Sequence, residues 1–132
     1  MSLRYDPLKE PDARRWLKMD ESVRLRMVLQ YHRKKGFDLP NENIHASIHV
    51  TVENQAALGE ETPVAETLNR MMNEGLDRHD AIHAVGSVLA AQIWDIMQGG
   101  VADDADPNVA YSEELSQLTA RKWLEEYGET VD

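Results

Sequence analysis

A chain of 132 residues with 42% hydrophobic content and no cysteine is the size of one ordinary domain, and it excludes both a disulfide framework and a thiolate metal site. Its formal net charge of −10 argues against a nucleic-acid partner, and no apolar run is long enough to cross a bilayer, so no membrane partner is expected. The opening residues lack the apolar core of a signal peptide, and a cytoplasmic location is expected. The charge is uneven: residues 1–36 hold ten Lys or Arg against five acids, and residues 37–132 hold four against nineteen. A basic segment packed on the acidic remainder of its own fold, or of a second subunit, explains this better than a phosphate-binding helix, which the surrounding negative field would oppose.

Residues 1–10 contain Pro7 and no apolar period, which predicts an extended arm. A short helix carrying Trp16 and Leu17 starts at Pro11 or Asp12. Asp20 then caps a longer helix whose apolar face is Val23, Leu25, Met27, Val28, Leu29 and Tyr31, and which ends at Lys34, Lys35 and Gly36. His32 sits near that C-terminal end, where the helix dipole favours the protonated form, and reads as a surface or capping residue. Phe37 to Asn41 is a turn broken by Pro40. The next helix runs from about Ile44 to Leu58, with Gly59 as C-cap and an apolar stripe of Ile44, Ile48, Val52 and Gln55.

Thr62-Pro63 opens a helix that carries Val64, Leu68, Met71 and Met72 and stops at Gly75. Asp77 caps the longest helix, which reaches Met97 with a seam of Ile82, Val85, Leu89, Ile93 and Ile96 and two small residues, Gly86 and Ala90, on its flank. Residues 99–111 read as an acidic loop. Within it Asp103, Asp104 and Asp106 resemble calcium ligands but lack the glycine and the closing glutamate of an EF-hand, so this is a solvated loop. Ser112 caps a last helix carrying Leu115, Leu118, Trp123, Leu124 and Tyr127. No strand signal competes, and the pattern predicts an all-α, single-domain bundle of about five helices over residues 1–132. The six methionines with Trp16 and Trp123 read as adaptable packing. Trp94 falls outside its helix seam and points to a homo-oligomer.

Chemistry concentrates in two histidine couplets, His45/His49 and His79/His83. An i,i+4 pair lies within about 40° on one helix face, one turn apart, so each couplet offers two imidazoles to one point. Short connections at residues 59–61 and 75–77 make successive helices antiparallel, which leaves the two couplet-bearing helices parallel with both couplets at the same end. If those helices touch, ring nitrogens of the two couplets should come within about 4–5 Å, twice the imidazole–metal bond length.

Three readings compete for these residues. In the first, His45, His49, His79 and His83 bind a metal, with Glu53 or Asp80 as a further ligand or as an outer hydrogen-bond acceptor; Zn, Ni or Fe suits such donors. In the second, the histidines form a buried hydrogen-bond network in a non-catalytic structural or interaction protein. In the third, a histidine acts as general base without metal, but no candidate nucleophile or glycine-rich phosphate loop accompanies it. No reaction or substrate is readable from these residues.

Two resemblances bear on the choice. Metal-dependent phosphohydrolases of the HD superfamily are all-helical and carry a histidine, an adjacent His-Asp and a distant Asp, an order that His45 or His49, His79-Asp80 and Asp95 resemble. Asp80 and Asp95 would lie about 22 Å apart along one helix, so sharing an ion requires that helix to break. The series Trp16-Leu17, Asp20-Glu21, Arg24, Val28, Tyr31-His32, then Ile44-His45, His49, Glu53-Asn54-Gln55, then Glu74 to Ala84 with its Arg78-His79-Asp80-Ala81-Ile82-His83 core, is similar to a family of small bacterial helical proteins catalogued only as domains of unknown function. That likeness spans roughly residues 14–96 and implies a helical fold in a bacterial cytoplasm, and no activity.

Overall fold

The computed structural model describes residues 4–35, 41–99 and 106–127. Among them are seven α-helices: α1 (Ala13–Lys18), α2 (Glu21–Lys34), α3 (Glu42–Ala57), α4 (Val64–Asn73), α5 (Arg78–Met97), α6 (Pro107–Gln117) and α7 (Ala120–Tyr127). A 3-10 turn, Gly59–Glu61, joins α3 to α4. The all-helical class stands, but the helix count exceeds five.

The C-terminal end accounts for the main departure. Asp106 caps α6 by accepting from the Asn108 amide, and Pro107 takes the first helical turn, so the helix begins inside the stretch read as an acidic loop. At Leu118 the backbone turns extended (φ −70°, ψ 131°), and Thr119 Oγ1 accepts the Lys122 amide at 3.1 Å. A new helix therefore starts there, where one helix from Ser112 to Tyr127 was expected. The Pro40 turn and residues 100–105 of the acidic loop, Asp103 and Asp104 among them, lie outside the described residues. Elsewhere the expected punctuation holds: the Asp77 side chain accepts from the Asp80 amide at 2.8 Å, and Gly75 closes α4 at φ +115°.

Helix α3 organises the packing because it has two apolar faces. Ile48, Val52 and Ala56 face a core built with α4, α5, α6 and α7, while Ala46, Val50 and Ala57 face a second cluster with Tyr5, Trp16 and Val28. At about 100° per residue the stripe His45, His49, Glu53 falls between these faces, in the seam where the two cores meet. Ile44, expected in the apolar stripe, is 62% exposed instead. In α5 the seam holds only through Leu89; Ile93 and Ile96 are exposed, beside Trp94 and Met97. Ala90 is likewise exposed.

The basic N-terminal third packs on α3 through its apolar residues, and few of its basic side chains take part. Arg24 donates to Asn54 Oδ1 at 2.7 Å, the same oxygen that takes the Trp16 indole N–H at 2.8 Å, and Arg33 pairs with Glu42 at 2.6 Å on the surface. Most of its other basic side chains face solvent, so within this chain they do not pack on the acidic remainder. Among the described residues no helix is long and apolar enough to cross a membrane.

Gly86 sets the closeness of α3 and α5. A Cβ built there would stand 2.8 Å from Ile48 Cγ2, a methyl on a stiff β-branched side chain. Gly86→Ala should therefore destabilise by about 1–3 kcal/mol, outweighing the gain in helix propensity of about 1 kcal/mol. Urea denaturation measures this, and a neutral or stabilising result would mean that the two helices part without cost.

Candidate metal centre

All five histidines of the chain gather where α2, α3 and α5 meet, more than the four expected. His32 comes from the last turn of α2, His45 and His49 from the first half of α3, and His79 and His83 from the first two turns of α5. The two couplets converge as the topology required, with His49 Nε2 3.0 Å from His83 Nε2. Ring centroids of neighbouring couplet members lie 4.8 Å apart for His45 and His49 and 4.4 Å apart for His79 and His83. Across the helices the spacings are 5.2 Å for His45 and His83 and 5.2 Å for His49 and His79.

His32 overturns its expected surface role. It is 2% exposed, and its ring stands 4.8 Å from both His45 and His49. The helix dipole acts at the end of α2 whichever way a side chain faces, whereas the spacing Leu25, Val28, His32 puts this residue on the buried face of α2.

Behind the histidines lies a network that local sequence pattern does not announce. Arg78 and Glu53 form a two-pronged buried ion pair, with Nη2 to Oε1 at 2.7 Å and Nη1 to Oε2 at 2.9 Å. Burial works to lower the Arg78 pKa, and the hydrogen bonds and charge of Glu53 more than offset that, so the guanidinium is held more firmly protonated than usual. Arg78 also donates to the Pro7 carbonyl at 3.0 Å, fastening the N-terminal segment over the site. That segment brings in Tyr5, which is buried and donates its hydroxyl proton to Glu53 Oε2 at 2.6 Å. Tyr5 belongs to the stretch read as an extended arm, and nothing in its sequence neighbourhood signals this contact.

These partners assign the tautomers. The Tyr5 hydroxyl gives its proton to Glu53, so its oxygen accepts from His49 Nδ1 at 3.2 Å. His49 therefore carries its proton on Nδ1 and its lone pair on Nε2, the nitrogen that faces His83. In the same way His32 Nδ1 donates to the Val28 carbonyl at 2.9 Å, so an ion would meet this ring at Nε2. Burial, followed by the charges that His83, His45, His32 and His79 would carry, pushes the His49 pKa well below its usual value. A neutral imidazole with its outer nitrogen anchored is the form that binds a metal ion.

Two groups of three could hold an ion: His32, His49 and His79, all buried, and His45, His49 and His83, of which His45 and His83 are half-buried. Within each group the ligand atoms lie within 4.8 Å of one another. Two nitrogens bound at about 2.1 Å to one ion stand about 3–3.4 Å apart, so the His49–His83 pair, at 3.0 Å, already has ligand spacing.

Neither carboxylate singled out by the sequence joins these groups. Glu53 accepts from Arg78 and Tyr5, and Asp80 lies half-buried in the first turn of α5. The HD-like order fails, because α5 is continuous from Asp80 to the exposed Asp95 and cannot bring both to one ion.

The family model described as Domain of unknown function (DUF1841) matches residues 13–129, and the chain belongs to that family. No curated protein and no solved structure matches it.

Proposed function

We propose that this member of a family of unknown function binds a divalent transition-metal ion through its histidine cluster, in the cytoplasm of a bacterium. The observation that carries the reading is the convergence of five imidazoles from three helices, with three ligand atoms within 4.8 Å in each of two groups. An all-imidazole donor set suits borderline ions such as Zn, Ni or Fe and disfavours Ca and Mg, which take oxygen ligands. The chain's net charge of −10 draws cations to it. Arg78, Glu53 and Tyr5 hold the His49 ring so that Nε2 presents its lone pair to His83.

A second reading is a purely structural network. The 3.0 Å contact between His49 Nε2 and His83 Nε2 favours it, since as a hydrogen bond it ties α3 to α5 without an ion. Elemental analysis of protein purified without chelator or polyhistidine tag separates the two, followed by thermal melting of stripped protein with added Zn2+. The metal reading expects stoichiometric metal and a stabilisation of about 2.7 kcal/mol when free ion stands at a hundred times its dissociation constant, both lost in His49→Ala. Metal-free protein whose melting is indifferent to Zn2+, with His49→Ala melting lower regardless, leaves the network alone.

A further inference from the structure

The two histidine groups overlap at one residue, and that residue has one lone pair to give. His49 is common to His32, His49, His79 and to His45, His49, His83. Its Nδ1 proton is committed to the Tyr5 oxygen, whose own proton goes to a Glu53 carboxylate gripped by Arg78. Bridging two ions would require His49 as an imidazolate, with Nδ1 stripped of that proton and the contact to Tyr5 given up. Only Nε2 remains, and one lone pair binds one ion.

The two groups also differ in their access to water. His45 and His83 are half-buried at the rim, whereas His32, His49 and His79 are 2%, 2% and 9% exposed. An ion arriving from solvent meets the rim group first. Rings of the two groups are close enough for a short step between them: His32 stands 4.8 Å from His45 and His79 stands 4.4 Å from His83.

We propose that the cluster holds a single divalent transition-metal ion in two alternative positions, an outer one on His45, His49 and His83 and an inner one on His32, His49 and His79. The ion loads at the outer position and passes inward while His49 Nε2 stays bound, exchanging two rim imidazoles for two buried ones. This deepens the metal reading above and rests on it. The consequence is a carrier with a fast, exchangeable state and a slow, retained one, suited to taking up a metal and keeping it from competing ligands.

The test uses the full chain, stripped of metal and free of any histidine tag, with Co2+ followed by its visible absorption. Wild type should take up one equivalent. Chelator added within milliseconds of mixing should remove the ion at least tenfold faster than chelator added after minutes, because the early ion is still at the rim. His45→Ala/His83→Ala should keep one equivalent but load at least tenfold more slowly, and His32→Gln/His79→Gln should keep one equivalent that stays open to chelator. Two equivalents in wild type, or release at one rate whatever the delay, would overturn the two-position proposal while leaving metal binding in place. No uptake at all would overturn the metal reading itself. The wild-type delay experiment decides the matter even if a buried double variant does not fold.

Discussion

Replacing Glu53 with alanine is expected to destabilise the protein by about 3–5 kcal/mol, the range for removing one partner of a buried ion pair. Glu53 is 1% exposed and Arg78 7%, so the change leaves a guanidinium in the interior without its carboxylate. It also takes away the acceptor of the Tyr5 hydroxyl and weakens the hold on residues 5–9, which reach the site through Arg78 and Tyr5. Against a total stability of about 5–15 kcal/mol for a domain of this size, the loss brings the chain near unfolding. Glu53→Gln keeps the shape and some hydrogen bonding and should cost less. Adding Arg78→Met to Glu53→Ala should recover part of the loss, because the stranded charge is then gone. Urea denaturation of the two single variants and the pair measures this. A loss under about 1 kcal/mol for Glu53→Ala would mean that water reaches the pair.

The histidine cluster and its surroundings divide into a part that helix periodicity exposes and a part that it does not. His45 with His49, and His79 with His83, stand one turn apart on their own helices, and short connections force those helices to run parallel, so their meeting follows from local rules. Tyr5 and Arg78 are different. The contact from Tyr5 to Glu53 spans 48 residues and depends on how the N-terminal segment crosses the seam between two cores, which no local spacing encodes. His32 falls between these cases: its spacing from Val28 places it on the buried face of α2, while its position near the helix end favours the surface, and the packing of α2 on α3 decides for burial.

The same division explains the departures in the fold. A helix with one buried face shows a single apolar stripe, and the α5 seam follows that rule through Leu89. Helix α3 has two buried faces with a polar stripe between them, so its apolar residues spread around the axis and Ile44 is wrongly drawn into the pattern. The C-terminal break was signalled by Thr119, a residue suited to N-capping, but the apolar run through Leu118 and Trp123 masked it. Asp106-Pro107 carries an equally plain start signal that an acidic neighbourhood concealed.

The second large effect is on pH dependence, measured with chelator present so that no ion intervenes. Burial and the neighbouring histidines hold the His49 pKa well below the value of about 6.5 that it has in the unfolded chain. The folded state therefore refuses a proton that the unfolded state accepts. Above about pH 6.5 both states are neutral at this group and its full contribution to stability is present. As pH falls below 6.5 towards the folded value, the unfolded state takes up the proton first and stability declines, by up to about 1.4 kcal/mol per pH unit for this one group. The decline should begin well above the range in which carboxylates titrate, which separates it from ordinary acid unfolding. Urea midpoints collected between pH 8 and pH 5 should fall for wild type and flatten for His49→Gln, which keeps a polar side chain but cannot be protonated in this range. Equal slopes for the two proteins would place the origin of the decline elsewhere in the molecule. With Zn2+ present the wild-type slope should steepen, because the incoming proton must then displace an ion as well as enter the interior.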